Sequence, residues 1–225
     1  MKCETLAVGI LLLSAASLGA QTGKDWQTVF PVDKKTLGVK GSNPYFPLEP
    51  GYRLSYKHGN DTDTVTVLDK TKVIDGVETR VVEDREVKNG QLVELTLDYY
   101  AIDSVTNDVY YFGEDVDVYK RGKLAGHEGA WLSGVKGAKF GLMMPGKPRP
   151  GQRFYQEQAP GVGMDRAEIL SDSEKISTPA GIFENCIHVV ETSALEKGMR
   201  DHKWYAAGVG PVKDAEMVLV GHGPK

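Results

Sequence analysis

Cys186 and His188 lie two residues apart in Asn185-Cys-Ile-His-Val-Val190, a spacing that puts both side chains on one face of a strand. A thiolate nucleophile needs a neighbouring base and a lowered pKa. Nothing else in the stretch supplies either, so Cys186 reads more simply as a small buried hydrophobe. His127, His188 and His202 stand on three separate segments. Zinc requires three or four converging ligands, which this spacing does not demand. Asp98, Asp103, Asp108, Glu114, Asp115 and Asp117 form an acidic cluster of the oxygen chemistry that suits calcium. A calcium loop needs oxygen ligands at alternating positions, and Val105 interrupts Asp103-x-Val105-x-Asn107. These acids read as turn residues and solvated strand faces. There is neither a Gly-x-Ser-x-Gly elbow nor a phosphate-binding Gly-Lys-Ser/Thr loop. No catalytic or metal-binding residue is assigned, and no cofactor is expected.

The aromatic residues are the stronger lead. Tyr99, Tyr100, Tyr110, Tyr111, Phe112, Trp131, Trp204 and Tyr205 are concentrated in a few blocks. Adjacent strand residues face opposite ways, so one of each pair enters the core and the other faces out or into a cleft. Core packing is the simpler role. The functional alternative is an apolar groove on a curved sheet, lidded by residues 131–144, with adaptable methionines in its lining. Tyr99, Tyr111, Trp131, Met143, Met144 and Trp204 are the candidate ligand-binding residues on that basis.

Strands must position these groups. Thr64-Val-Thr-Val-Leu68 and Leu92-Val-Glu-Leu-Thr-Leu-Asp-Tyr-Tyr100 alternate with period two, and Asn89-Gly90 is a hairpin signal. Strand-like runs continue through Cys186–Glu191, Asp201–Ala206 and Met217–Val220, while apolar residues at helical spacing are almost absent. The expected fold is all-β, a curved antiparallel meander or half-barrel. Residues 114–149 break the rhythm with glycines and embedded aromatics, and read as a long ordered connection.

The chain also looks duplicated. Pro50-Gly-Tyr-Arg53 recurs as Pro150-Gly-Gln-Arg153. Gly76 matches Gly181, Val81-Val-Glu83 matches Val189-Val-Glu191, and Asp98–Ala101 matches Lys203–Ala206, at offsets of 105, 108 and 105. Two units, about 50–113 and 150–213, would then join into one β domain over 43–220. An irregular lead-in, 21–42, precedes it. Lys2, the apolar run Leu6–Leu13 and the small residues up to Ala20 have the order of a secretory signal, with cleavage near Ala20. Cys3 leaves with it, and Cys186 then has no intramolecular partner. The net charge of −4 is spread with mixed sign, so no basic stripe offers a site to nucleic acid. No stable membrane span is expected after signal cleavage.

Asn43-Pro-Tyr-Phe-Pro-Leu48, Asp98-Tyr-Tyr-Ala101, Val109-Tyr-Tyr-Phe-Gly-Glu114, Thr178-Pro-Ala-Gly-Ile-Phe183 and Trp204-Tyr-Ala-Ala-Gly-Val-Gly-Pro-Val212 resemble an uncharacterised family of secreted bacterial β-rich proteins. The last two are also similar to exported half-barrels of the LolA-like lipoprotein-carrier type. Asp103–Asp108 departs from the family's Gly-containing turn. The resemblance implies a secreted or periplasmic protein and supplies no catalytic residue. The expected function is binding of a lipid, another apolar ligand or an envelope partner on the curved sheet. The alternatives are an envelope interaction module without a small-molecule site, and a secreted hydrolase using acids with His127 or His202.

Overall fold

The computed structural model describes residues 25–224. The secretory signal and Cys3 lie outside the described residues. Sixteen strands form one antiparallel sheet. They are β1 (Leu37–Gly38), β2 (Tyr52–His58), β3 (Asp61–Ile74), β4 (Val77–Lys88), β5 (Gln91–Asp103) and β6 (Val109–Lys120). Next come β7 (Lys123–Gly126), β8 (Trp131–Leu132), β9 (Lys139–Met144), β10 (Arg153–Tyr155) and β11 (Glu157–Gln158). The last are β12 (Asp165–Thr178), β13 (Gly181–Ser193), β14 (Asp201–Ala206), β15 (Gly210–Asp214) and β16 (Met217–Pro224). Among the described residues, no helix is long and apolar enough to cross a membrane.

The all-β curved antiparallel sheet expected from the alternation is the observed fold, and it curls further than a half-barrel. Its main path runs β10-β12-β13-β14-β15-β16-β2-β3-β4-β5-β6-β9-β11. The two ends of that path, β10 and β11, are separated only by Gln156, so one bent segment pairs with β12 on one side and β9 on the other. The sheet is thereby nearly closed, which leaves little free edge for edge-to-edge association.

The Pro-Gly turns that open the two matched units have the same geometry. Gly51 and Gly151 sit at φ of 86° and 87°. The Gly51 amide donates to the Val67 carbonyl at 2.8 Å, and the Gly151 amide to the Ile169 carbonyl at 2.8 Å. Positive φ of this size is strained for any residue with a Cβ, which accounts for glycine at both places. In the ladders Val82 faces Asp98, and Val189 faces Lys203. The pairing offset in that strand is therefore 107, one less than the sequence match.

Residues 114–149 contribute wall rather than a separate connection. β6 runs on through Glu114 to Lys120, and β7, β8 and β9 all pair with it. Residues 131–144, expected as a lid, thus form part of the barrel side. On the outer face of that side, Phe112 stacks on Phe140 at 4.8 Å, and Phe30 meets Tyr110 edge-on at 5.9 Å. The lead-in crosses here, with Gln27 bridging to Phe154 and Trp26 lying under the Arg153 and Arg166 guanidinium groups at 4.2 and 4.6 Å.

Candidate functional site

The barrel interior is the candidate site. Strand alternation directs every second residue inward, and several inward positions are acidic. On β3 the inward series is Asp63-Val65-Val67, on β4 Val82-Asp84, on β5 Asp98-Tyr100, and on β14 Lys203-Tyr205. Together with Leu54, Tyr56 and Met143 they surround a cavity of about 140 Å³.

One end of the cavity is plugged by the Asn43–Leu48 stretch. Phe46 and Pro47 line it, and Phe46 meets Tyr100 edge-on at 4.9 Å. Buried Asn43 fixes the plug: its Nδ2 donates to the carbonyls of Asn107, Met144 and Pro145 at 2.9, 3.2 and 3.2 Å. At the opposite end lie the turns joining β2 to β3, β4 to β5, and β15 to β16. There a wider mouth of about 460 Å³ shares Asp63, Asp84, Lys203 and Asp214 with the cavity. Asp61, Glu86 and Glu216 add negative charge to this mouth, against Lys88.

A polar network crosses the lumen. Lys203 Nζ contacts Glu191 at 2.9 Å and Asp214 at 3.1 Å. Burial opposes its charge, but Asp214 and Glu191 outweigh burial and hold the ammonium well above its ordinary pKa. Gln156 Nε2, at the barrel seam, donates to Glu191 at 2.8 Å. The Tyr111 hydroxyl donates to Asp98 at 2.6 Å. Burial still pushes Asp98 up to about 7. Glu114 pairs directly opposite Asp98 and is pushed up to about 8, by burial and then by the Asp98 charge. Burial, followed by Glu114, also raises Glu157 well above the carboxylate range.

Asp63 and Asp84 form an acid pair in hydrogen-bond contact. Their strands are adjacent, with Val65 opposite Asp84 and Asp63 opposite Glu86. Burial and then Asp63 raise Asp84 well above its ordinary value, and burial raises Asp63 as well. Two carboxyl groups at such range share one proton, since both cannot ionise.

The six residues picked from sequence do not converge on one cleft. Met143 lines the cavity. Tyr111 points inward to Asp98, and Trp131 meets the Tyr111 ring edge-on at 5.4 Å. Met144 is packed in the core. Tyr99 faces outward, where its hydroxyl bonds Asp115 and the Lys72 ammonium lies 4.3 Å from its ring centre. Trp204 faces outward too, stacked on His188 at 4.5 Å with Lys213 4.8 Å from its ring centre.

Other sequence candidates have local roles. His188 Nε2 hydrogen-bonds His202 Nδ1 at 2.7 Å. Burial pushes the Cys186 thiol up, opposite to what a nucleophile requires. Asp103 accepts from the Val105 amide and the Thr106 hydroxyl, an Asx-type turn. Among the described residues no group of three or more His, Cys, Asp or Glu is placed to hold a metal ion.

Sequence reasoning passed over Asp63, Asp84 and Lys203. A signal existed. Each shares strand parity with apolar residues that belong inside: Asp63 with Val65, Asp84 with Val82, Lys203 with Tyr205.

No family model matches the chain. No curated protein matches it. Among solved structures, a protein from Parabacteroides distasonis described as a "putative lipoprotein" aligns with a TM-score of 0.41 at 13% identity, over 82% of this chain and 100% of that one.

Proposed function

We propose that this is an exported, extracytoplasmic binding protein that holds a small, largely apolar ligand inside its barrel. The observation that carries this is the cavity: apolar and aromatic walls from Leu54, Val65, Val67, Tyr100 and Met143, with a few convergent polar groups at one end. Ligand sites have this composition, and perturbed carboxyls mark them further. The cavity is about 140 Å³. An engineered apolar cavity of about 150 Å³ takes up benzene, so the matching ligand is a single ring or a short chain rather than a whole lipid. The order of charge, apolar run and small residues over residues 1–20 supports export to the periplasm or beyond.

The test is native mass spectrometry and solvent extraction of protein purified from its secreting host. A co-purifying organic molecule of one-ring size is the expected result. Protein that leaves the host without ligand, and then takes up neither benzene nor benzyl alcohol at millimolar concentration, would overturn the proposal.

A further inference from the structure

Resting on that reading, we infer that the ligand is a small organic cation, an amine whose ammonium sits between Asp63 and Asp84 while its apolar body fills the cavity.

The lumen's own cation is already engaged. Lys203 contacts Glu191 and Asp214. Asp98 has the Tyr111 hydroxyl. What remains is the Asp63–Asp84 pair. One oxygen of each, Asp63 Oδ1 and Asp84 Oδ1, is sealed from solvent, and the pair has only the proton it shares to hold the two carboxyl groups together. Both residues line the cavity. Two facing carboxyl groups in a buried site need positive charge between them, either a shared proton or a bound cation. An ammonium brings three donors and a full charge, enough for both carboxylates and one further acceptor.

Three features select an organic cation. Among the described residues no set of His, Cys, Asp and Glu ligands is arranged for a metal, and a hard metal would want more oxygens than this pair offers. Apart from the acids and Lys203, whose ammonium is held by Glu191 and Asp214, the wall is apolar, with the rings of Tyr56, Tyr100 and Tyr205 available to a cation's flank. The entrance is acidic through Asp61, Glu86 and Glu216, which raises the local concentration of cations over anions.

The experiment compares three probes of one shape on the intact protein by calorimetry: benzylamine, benzyl alcohol and benzoate. Benzylamine is expected to bind at least about tenfold more tightly than benzyl alcohol, with benzoate weakest. Asp84→Asn and Asp63→Asn should each bring the ratio of benzylamine to benzyl alcohol affinity most of the way down to one. Equal binding of amine and alcohol, or tighter binding of benzoate, overturns the amine assignment and leaves the apolar lumen standing. Binding of none of the three overturns both. The comparison on the unaltered protein needs no variant, so it decides the question even if a substitution impairs folding.

Discussion

The Tyr111 hydroxyl sustains a charge on Asp98 that burial opposes. Tyr111→Phe leaves that carboxylate without its donor and should destabilise the fold by about 1–3 kcal/mol at pH 8, the cost of an unsatisfied buried charged acceptor. Near pH 5 Asp98 is protonated, since its pKa is about 7, so the same substitution should cost clearly less there. Urea denaturation at the two pH values checks this; an equal loss at both would separate the hydroxyl from Asp98's charge. Such inward acids were only half legible in the sequence. Alternation shows that Asp98 and Tyr99 face opposite ways, but β5 carries Leu95, Leu97 and Tyr99 on one face and Thr96, Asp98 and Tyr100 on the other. The more apolar face turns outward, where Tyr99 and Leu97 belong to the same apolar cluster as Phe112 and Phe140. Hydrophobicity alone therefore picks the wrong face here, and Tyr99 was favoured where Asp98 enters the lumen.

At the scale of elements, the repeated Pro-Gly turns make a paired prediction. A Cβ at Gly51 or Gly151 meets nothing within 4 Å, so only backbone strain at φ of 86° or 87° resists alanine. Gly51→Ala and Gly151→Ala should each cost about 1 kcal/mol, and by nearly equal amounts. Equilibrium denaturation of both variants measures this, and a several-fold disparity would deny that the turns are equivalent. Gly141→Ala is the contrasting case. Its Cβ would lie 2.3 Å from the Gln156 carbonyl oxygen, at the seam where β9 meets the closing segment. It should cost more than either turn variant and speed amide exchange across residues 153–158; slow exchange there would show that the seam tolerates the intrusion. The strands and turns were legible because period-two alternation and Asn-Gly or Pro-Gly signals are local. The seam was not. β10 and β11 are three and two residues long, too short to show a period, and their pairing joins strands distant along the path. The acid-rich start of residues 114–149 looked like a break for a related reason: β6 puts Glu114 inward and Asp115 outward to Lys72, so both faces carry charge.

For the whole molecule, the buried acids set how stability depends on pH. Asp63, Asp84, Asp98, Glu114 and Glu157 all have raised folded-state values, with Asp98 at about 7 and Glu114 at about 8. In the unfolded chain these groups ionise near pH 4. Between those limits the folded state binds more protons, so stability falls as pH rises. Calorimetry should find Tm lower at pH 8.5 than at pH 5.5 by on the order of 5–10 °C. A flat or rising profile would mean that the lumen acids are solvated. An amine bound between Asp63 and Asp84 should shrink the difference by supplying the charge that deprotonation removes.

A ligand held in the lumen, rather than on the outer aromatic surface, must perturb the side chains that line the cavity. Methyl-resolved NMR during titration with benzyl alcohol tests it most directly. Saturable shifts at Leu54, Val65, Val67, Val82 and Met143, with Val73 and Val105 unmoved, are the predicted result. Shifts absent from those five and gathered instead around Trp204 or Tyr99 would contradict it.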